Sequence, residues 1–321
     1  MSNTHIHELI FHPVLALKRI YSQHRARNFM EIWQAILLGL IEGITEYLPI
    51  SSTGHLIVAQ RLMDIGTLRE SNKLAADAFA ICIQGGAILA VLGLYYKYVI
   101  RMIKGVFGKD HEGLRLAIAV IVGFLPAAVL GMLLNDWIEA KLFGIWPVIT
   151  AWIVGGIGII WTVSWRRRNP PRGNGRDILK LAWQSALFIG LLQCVAMWPG
   201  TSRSLMTICG GLIVGLSVKA AVEYSFLLGV VTLSAATFKK AVWSIEGAGA
   251  QYDTWFGGTQ LMWDTYGPLP LAAGIIAAAI SAAFAVKWLV TFLQSHGLQG
   301  FGYYRIFVGI SVGILVLTET L

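Results

Sequence analysis

The order of apolar and polar positions divides the chain into six uninterrupted apolar runs and two interrupted ones. A helix crossing a hydrocarbon layer about 30 Å thick needs about 20 predominantly apolar residues. Residues 78–96, 116–134, 146–164, 222–238, 269–293 and 303–320 meet that requirement. They predict six transmembrane helices in an all-α polytopic membrane protein. The two remaining apolar stretches are broken in the middle. Residues 31–64 are interrupted by Pro49-Ile50-Ser51-Ser52-Thr53-Gly54-His55, and residues 181–216 by Pro199-Gly200-Thr201-Ser202-Arg203-Ser204. Irregular backbone at membrane depth survives only where protein or a wet cavity satisfies its polar groups. Each segment is therefore expected to be a re-entrant helix–break–helix, with both breaks lining one polar cavity.

Composition agrees with this reading. Hydrophobic residues make up 56% of the chain and charged residues 13%, with a mean hydropathy of +0.66. Soluble domains average about 45–50% apolar and about 25% charged. A disordered chain, a nucleic-acid-binding domain and an ordinary cytosolic enzyme are excluded. The net charge of +8 is concentrated in connections, where it reads as a topology signal. Loop 97–115 carries Lys97, Arg101, Lys104, Lys109 and Arg115, and loop 165–180 carries Arg166, Arg167, Arg168, Arg172, Arg176 and Lys180. Loop 135–145 balances one Lys with Asp136 and Glu139, and loop 241–268 has only Glu246, Asp253 and Asp264. The first two loops are expected in the cytoplasm, the last two and both chain ends outside. The arm of residues 1–30 pulls the other way with Lys18, Arg19, Arg25 and Arg27, and is expected to meet anionic headgroups. Its His7-Glu8-Leu9-Ile10-Phe11-His12 has one residue too many for a zinc-protease pair at i and i+4. Cys82, Cys194 and Cys209 lie in apolar stretches without metal-ligand spacing and read as packing residues.

The chain also repeats. Gly39-Leu40-Ile41-Glu42-Gly43-Ile44-Thr45-Glu46-Tyr47 lines up with Gly190-Leu191-Leu192-Gln193-Cys194-Val195-Ala196-Met197-Trp198, and each is followed by Pro and a Ser/Thr cluster. Three spans follow each copy, and an odd number inverts the second in the membrane. Inverted repeats with broken helices put a binding site near the midplane. The expected organisation is an N-terminal arm (1–30), a first repeat (31–165), a cytoplasmic linker (166–180) and an inverted second repeat (181–321).

Chemistry concentrates at the breaks. Glu42 and Glu46 share one face of an apolar helix, and a charge at the bilayer centre costs about 2.5–3.5 kcal/mol even on the lenient insertion scale. No Lys or Arg lies within a turn of either, so neutralisation by a close neighbour fails to explain them. The hydroxyls of Ser51, Ser52 and Thr53, with Gly54 and the His55 imidazole, exceed what an N-cap requires. In the second break Thr201, Ser202 and Ser204 surround Arg203, whose planar fork suits a phosphate. Gln84 and Gln193 either orient a carboxylate or bridge helices. Glu223 reads as a helix-start residue near headgroups. Together these groups suit hydrolysis of a lipid phosphate or diphosphate. The two carboxylates would repel that anion, so either one is protonated or a divalent cation bridges them. Two Glu ligands fit Mg²⁺ or Ca²⁺ better than zinc. The alternative is a lipid flippase or other transporter, which needs the binding groups but no nucleophile.

Leu40-Ile41-Glu42-Gly43-Ile44-Thr45-Glu46-Tyr47-Leu48-Pro49-Ile50-Ser51-Ser52-Thr53-Gly54-His55 and Trp198-Pro199-Gly200-Thr201-Ser202-Arg203-Ser204 resemble the two signatures of bacterial undecaprenyl-diphosphate phosphatases of the bacitracin-resistance type. Glu223-Tyr224-Ser225-Phe226-Leu227-Leu228 is similar to a further stretch of that family, and the resemblance spans roughly residues 31–321. It implies conversion of the C55 diphosphate to the monophosphate that carries cell-wall precursors, a divalent-cation requirement, and an inner-membrane protein with its site reached from the outer face. It assigns catalysis to Glu42 and Glu46, which would also hold the metal, with Ser52 as nucleophile or as the residue positioning a water. It gives His55 acid/base or phosphate-binding work and Arg203 the phosphate clamp, supported by Ser51, Thr53, Ser202 and Ser204. Partners are the polyprenyl diphosphate and membrane lipids, with a homodimer left open. Leu205 stands where the family usually has Gly, which is expected to tighten the cavity. Val230-Val231 replaces a usual Pro-containing turn in a span.

Overall fold

A computed structural model describes residues 30–66, 70–142, 144–171, 173–242 and 250–319. The basic arm, its His7–His12 motif and Glu246 lie outside the described residues. Among the described residues, twelve α-helices follow in order: α1 (Ile32–Thr45), α2 (Ser52–Leu62), α3 (Glu70–Leu94), α4 (Tyr96–Val106), α5 (His111–Leu142), α6 (Ile145–Arg168), α7 (Trp183–Val195), α8 (Arg203–Ile213), α9 (Val218–Val242), α10 (Gly257–Tyr266), α11 (Pro268–His296) and α12 (Gln299–Leu317).

Six of them, α3, α5, α6, α9, α11 and α12, are long and apolar enough to cross a membrane, at the six places the apolar runs predict. The protein is a multi-pass, all-α membrane protein. The two interrupted stretches fold as the short pairs α1–α2 and α7–α8, each broken at its Pro-containing turn. At 14 and 13 residues, α1 and α7 are too short to span.

Long-range packing has a twofold pattern. Gly39 of α1 lies against the backbone of Gly274 of α11, so close that a Cβ on Gly39 would sit 2.3 Å from the Gly274 carbonyl. Gly190 of α7 meets Gly123 of α5 in the same way, with a corresponding distance of 2.4 Å. Gly39 and Gly190 occupy matching places in the two sequence copies, and Gly123 and Gly274 are separated by the same interval. Each broken helix thus packs on a span of the other copy. Helices meet this closely only through residues without side chains.

Several connections differ from expectation. The loop expected at 135–145 is mostly helix, because α5 runs on to Leu142. Within the loop expected at 97–115, α4 forms an amphipathic helix that exposes Tyr96, Ile100 and Ile103 on one stripe beside Lys97 and Lys104. Within 241–268 the ten-residue α10 forms, too short to register as an apolar run. The linker's arginines do more than mark topology. Arg166 donates to the carbonyls of Leu212 and Leu216 (2.7 Å for the latter), and Arg176 donates to that of Val214. Leu212 and Val214 stand at the C-terminal end of α8, where cations are favoured, and Leu216 lies in the turn that follows. All three cysteines are free, with Cys82 and Cys209 buried and Cys194 half-buried, as packing residues should be.

Candidate active site

Both breaks are built by one local device. After each proline the chain turns through a serine with positive φ, Ser51 at 73° and Ser202 at 78°. Each serine is the N-cap of the returning helix, and its Oγ accepts from a backbone N–H three residues on, Gly54 at 3.4 Å and Leu205 at 3.2 Å. Positive φ at a non-glycine residue costs on the order of 1–3 kcal/mol and persists only where the surroundings over-determine it.

Those surroundings are the other break and a fully buried arginine. Ser204 donates to the Leu48 carbonyl at 2.7 Å, and Ser202 lies 3.0 Å from Ser204. Arg305, from α12, is 0% exposed and donates to Gly200 and Ala151 at 2.9 and 2.8 Å and to Pro49 and Trp152 at 3.3 Å each. Its guanidinium therefore joins the backbone of the first break to that of the second. Trp152 adds a bond from Nε1 to the Ile50 carbonyl at 2.9 Å. Sequence reasoning missed Arg305, although a lone arginine within a predicted span is the signal that would have found it.

The tips meet around Glu46. Its Oε2 accepts from Ser52 Oγ at 2.5 Å, and its Oε1 accepts from Arg203 Nη2 at 3.1 Å. Arg203 also donates to the Ser225 carbonyl at 2.9 Å and lies over the Tyr47 ring, 5.7 Å from its centroid. Its Nε is buried without a partner. Gly229 leaves room for this guanidinium, since a Cβ there would stand 2.4 Å from Nη1. Losing one member of a buried ion pair of this kind typically costs about 3–5 kcal/mol.

A cavity of ≈ 240 Å³ opens at this cluster, lined by Glu46, Ser51, Ser52, Thr53, Gln84, Gln193, Ser202 and Arg203 together with residues of α5, of α9 and of the turn after α7. Eight predicted site residues thus meet in one place. Gln193 also works between helices, donating to Gly123 at 3.5 Å and accepting from Thr232 at 3.3 Å.

The other predicted residues lie elsewhere. Glu42 is 0% exposed, sits beneath Glu46, and neither of its carboxylate oxygens has a partner. His55 points away from the cavity, with Nδ1 2.6 Å from the Ser51 carbonyl and Nε2 2.9 Å from the Tyr304 hydroxyl. Gly54 packs under Trp152, where a Cβ would meet the indole at 2.5 Å. Thr201 and Ser204 are buried behind the lining. Leu205 does not tighten the cavity, because its side chain lies in the hydrophobic core. Glu223, near the start of α9, is buried and accepts from Tyr98 at 3.1 Å with Lys219 at 3.8 Å.

Comparison with known proteins follows the same segments. The family model "Bacitracin resistance protein BacA" matches residues 35–311. The chain is 43% identical over 279 residues to "Undecaprenyl-diphosphatase 2" of Rhodospirillum rubrum, covering 87% of this chain and 93% of that one. It is 40% identical over 288 residues to "Undecaprenyl-diphosphatase 3" of Acinetobacter baylyi, covering 90% and 99%. An "Undecaprenyl-diphosphatase" of Sorangium cellulosum is 40% identical over 277 residues, covering 86% and 84%. With matches that run through both breaks and all six spans, the chain belongs to the BacA family of bacitracin-resistance proteins.

Proposed function

We propose that this protein is an integral membrane phosphatase that hydrolyses undecaprenyl diphosphate to undecaprenyl phosphate and inorganic phosphate, recycling the lipid carrier of cell-wall synthesis. The observation that carries the reading is the Ser52–Glu46–Arg203 constellation: a hydroxyl on a carboxylate, and that carboxylate on a guanidinium, inside a cavity. Family membership and the names of the relatives support the same substrate.

Arg203 binds the diphosphate through its fork, and the N-termini of α2 and α8 add backbone N–H groups and the positive ends of two helix dipoles. Glu46 takes the Ser52 proton as Ser52 Oγ attacks the terminal phosphorus. The bond from that phosphorus to the bridging oxygen breaks, and undecaprenyl phosphate leaves. Water then attacks the phosphoserine, regenerating Ser52 and releasing phosphate. In the variant of this scheme that dispenses with a nucleophilic serine, Ser52 holds the water. Glu46 contacts Ser52 whereas His55 faces away, which favours Glu46 as the base.

The donor set also fits a divalent cation. Glu42 and Glu46 offer hard oxygens, and the two orphaned oxygens of Glu42 call for a cation or a proton. Among the described residues no cluster of three or more His, Cys, Asp or Glu exists. Mg²⁺ is commonly held by one or two carboxylates, with waters and substrate phosphates completing its shell. Glu42 and Glu46 would hold it, and bound there it would neutralise charge on the phosphoryl group.

The glycine crossings support two repeats of inverted topology. The cavity is lined by the halves of α5 and α9 remote from the basic linker, at Gly131 and Thr232, which with the positive-inside rule supports an opening on the outer face.

The test is phosphate release from C55 diphosphate by purified protein with Mg²⁺, Ca²⁺ or EDTA, beside Glu46→Gln, Arg203→Ala and Ser52→Ala. Cation-dependent release abolished by all three is expected. Release by Ser52→Ala would assign attack to water, and no release by wild type would favour transport.

A further inference from the structure

An arginine that binds an anion must be held in place without being neutralised. Its guanidinium carries five N–H donors in one plane and no acceptor. A carboxylate partner fixes that plane but takes donors and cancels charge. An aromatic face fixes it and takes no donor, because the π cloud meets the flat face and leaves the edges free.

Arg203 has one partner of each kind, from consecutive residues. Glu46 Oε1 accepts from Nη2 at 3.1 Å, and Cζ lies over the Tyr47 ring, 5.7 Å from its centroid. Gly229 of α9 lies along the guanidinium, since a Cβ there would stand 2.4, 2.6 and 2.7 Å from Nη1, Cζ and Nη2. Nη1 donates to the Ser225 carbonyl at 2.9 Å. Nε is buried without a partner. Nε and Nη2 share the edge of the fork from which two parallel N–H bonds reach a phosphate.

Tyr47 is itself fixed. It stands two residues past the end of α1 and is 0% exposed. Its hydroxyl donates to the Ala87 carbonyl of α3 at 3.1 Å. Phe226 of α9 meets it edge-on, with centroids 5.1 Å apart and planes at 77°, and Phe226 packs in turn on Tyr95 at 5.9 Å. The ring is therefore anchored from α3 and α9 while it supports the guanidinium. Tyr47 is not among the residues that line the cavity, so its route to the substrate runs through Arg203.

We propose that Tyr47 is a positioning residue for the diphosphate clamp: its ring holds the Arg203 guanidinium with the Nε–Nη2 edge available to the anion and the charge uncancelled. The inference rests on the phosphatase reading and deepens it. The ring carries the effect, and the hydroxyl serves to anchor it. Phenylalanine keeps the π face. Leucine offers none, and leaves the guanidinium free to swing fully onto Glu46 and close the anion site.

The test compares wild type, Tyr47→Phe, Tyr47→Leu and Phe79→Leu in detergent with Mg²⁺. Phe79 is also 0% exposed, but it belongs to a separate core cluster, so its truncation controls for lost packing. Three quantities are read: kcat and KM for phosphate release from C55 diphosphate, the unfolding midpoint, and Kd for methylenediphosphonate, whose P–C–P bridge resists hydrolysis. Tyr47→Leu is expected to raise both KM and Kd at least tenfold with kcat within about threefold, the pattern of a lost binding contact. Tenfold corresponds to about 1.4 kcal/mol, the scale of a cation–π contact away from water. Tyr47→Phe should stay within about threefold of wild type in both constants. Phe79→Leu should lower the midpoint and leave both constants within the same range. Wild-type KM and Kd in Tyr47→Leu would overturn the proposal, as would equal losses in Tyr47→Phe or in Phe79→Leu. Tyr47→Met replaces the leucine variant if that protein is not monodisperse. Wild type that binds methylenediphosphonate but releases no phosphate would overturn the phosphatase reading instead, and Kd would still decide the role of Tyr47.

Discussion

Replacing Arg305 by Met removes the guanidinium that bridges the backbones of the two breaks, while roughly keeping the volume. Four carbonyls lose their partner, two of them at 2.8 and 2.9 Å and two at 3.3 Å. A hydrogen bond to a charged group contributes about 1.5–3 kcal/mol, so the two short ones alone amount to about 3–6 kcal/mol. Removing a desolvated charge offsets part of this, leaving a net loss on the order of 3 kcal/mol. The functional consequence is sharper. Pro49 and Gly200 set the turns that carry Ser52 and Arg203, and a misplacement of about 1 Å at a reacting group costs about a hundredfold in rate. The assay is thermal unfolding in detergent together with kcat and KM for phosphate release, measured well below the unfolding midpoint. Arg305→Met is expected to lower the midpoint and to cut kcat by about a hundredfold. Arg305→Lys should rescue little, because an ammonium is a compact charge and cannot reach four acceptors as a planar fork does. A purely structural arginine would lower the midpoint and leave kcat of the folded protein intact. Wild-type kcat in either variant would refute the positioning argument.

Other outcomes follow from the same geometry. His55→Gln should keep activity within about tenfold of wild type while Ser52→Ala falls by at least a hundredfold, since both imidazole nitrogens face away from the cavity; parallel phosphate-release assays decide it. Gly39→Ala and Gly190→Ala should each destabilise the protein by about 1–3 kcal/mol, because each new methyl meets a partner carbonyl across the repeat interface; a variant melting like wild type would contradict the crossings. Outside the membrane-spanning segments, Arg101 holds Asp110 below the usual carboxylate range, to about 2. The stabilisation from Asp110 is then present at neutral pH and is lost as pH falls from the ordinary carboxylate range through about 2. The difference in unfolding midpoint between wild type and Asp110→Asn should shrink over that interval, and a constant difference would count against the pair.

Much of this protein follows from one-dimensional pattern. Six spans and two breaks are visible because the bilayer demands a run of set length, and because proline and polar residues inside such a run have no other use. The Glu46–Ser52 contact was legible since both lie on one short segment, and the glycine matches were legible as a repeat. What the linear order conceals is which copy packs on which. Glu42 and Glu46 look equivalent on a helix face, yet Glu46 carries the hydrogen bonds to Ser52 and Arg203 and lines the cavity, while both Glu42 oxygens are buried without a partner. His55 looks catalytic by proximity in sequence, but the strained Ser51 turn sends its ring toward Tyr304 on α12. Arg305 is far from both breaks along the chain and joins them in space. Local periodicity reports how each segment meets lipid. The meeting of segments from opposite copies depends on long-range contacts between carbonyls, glycines and one guanidinium, which carry no period, and so the tertiary structure alone decides it.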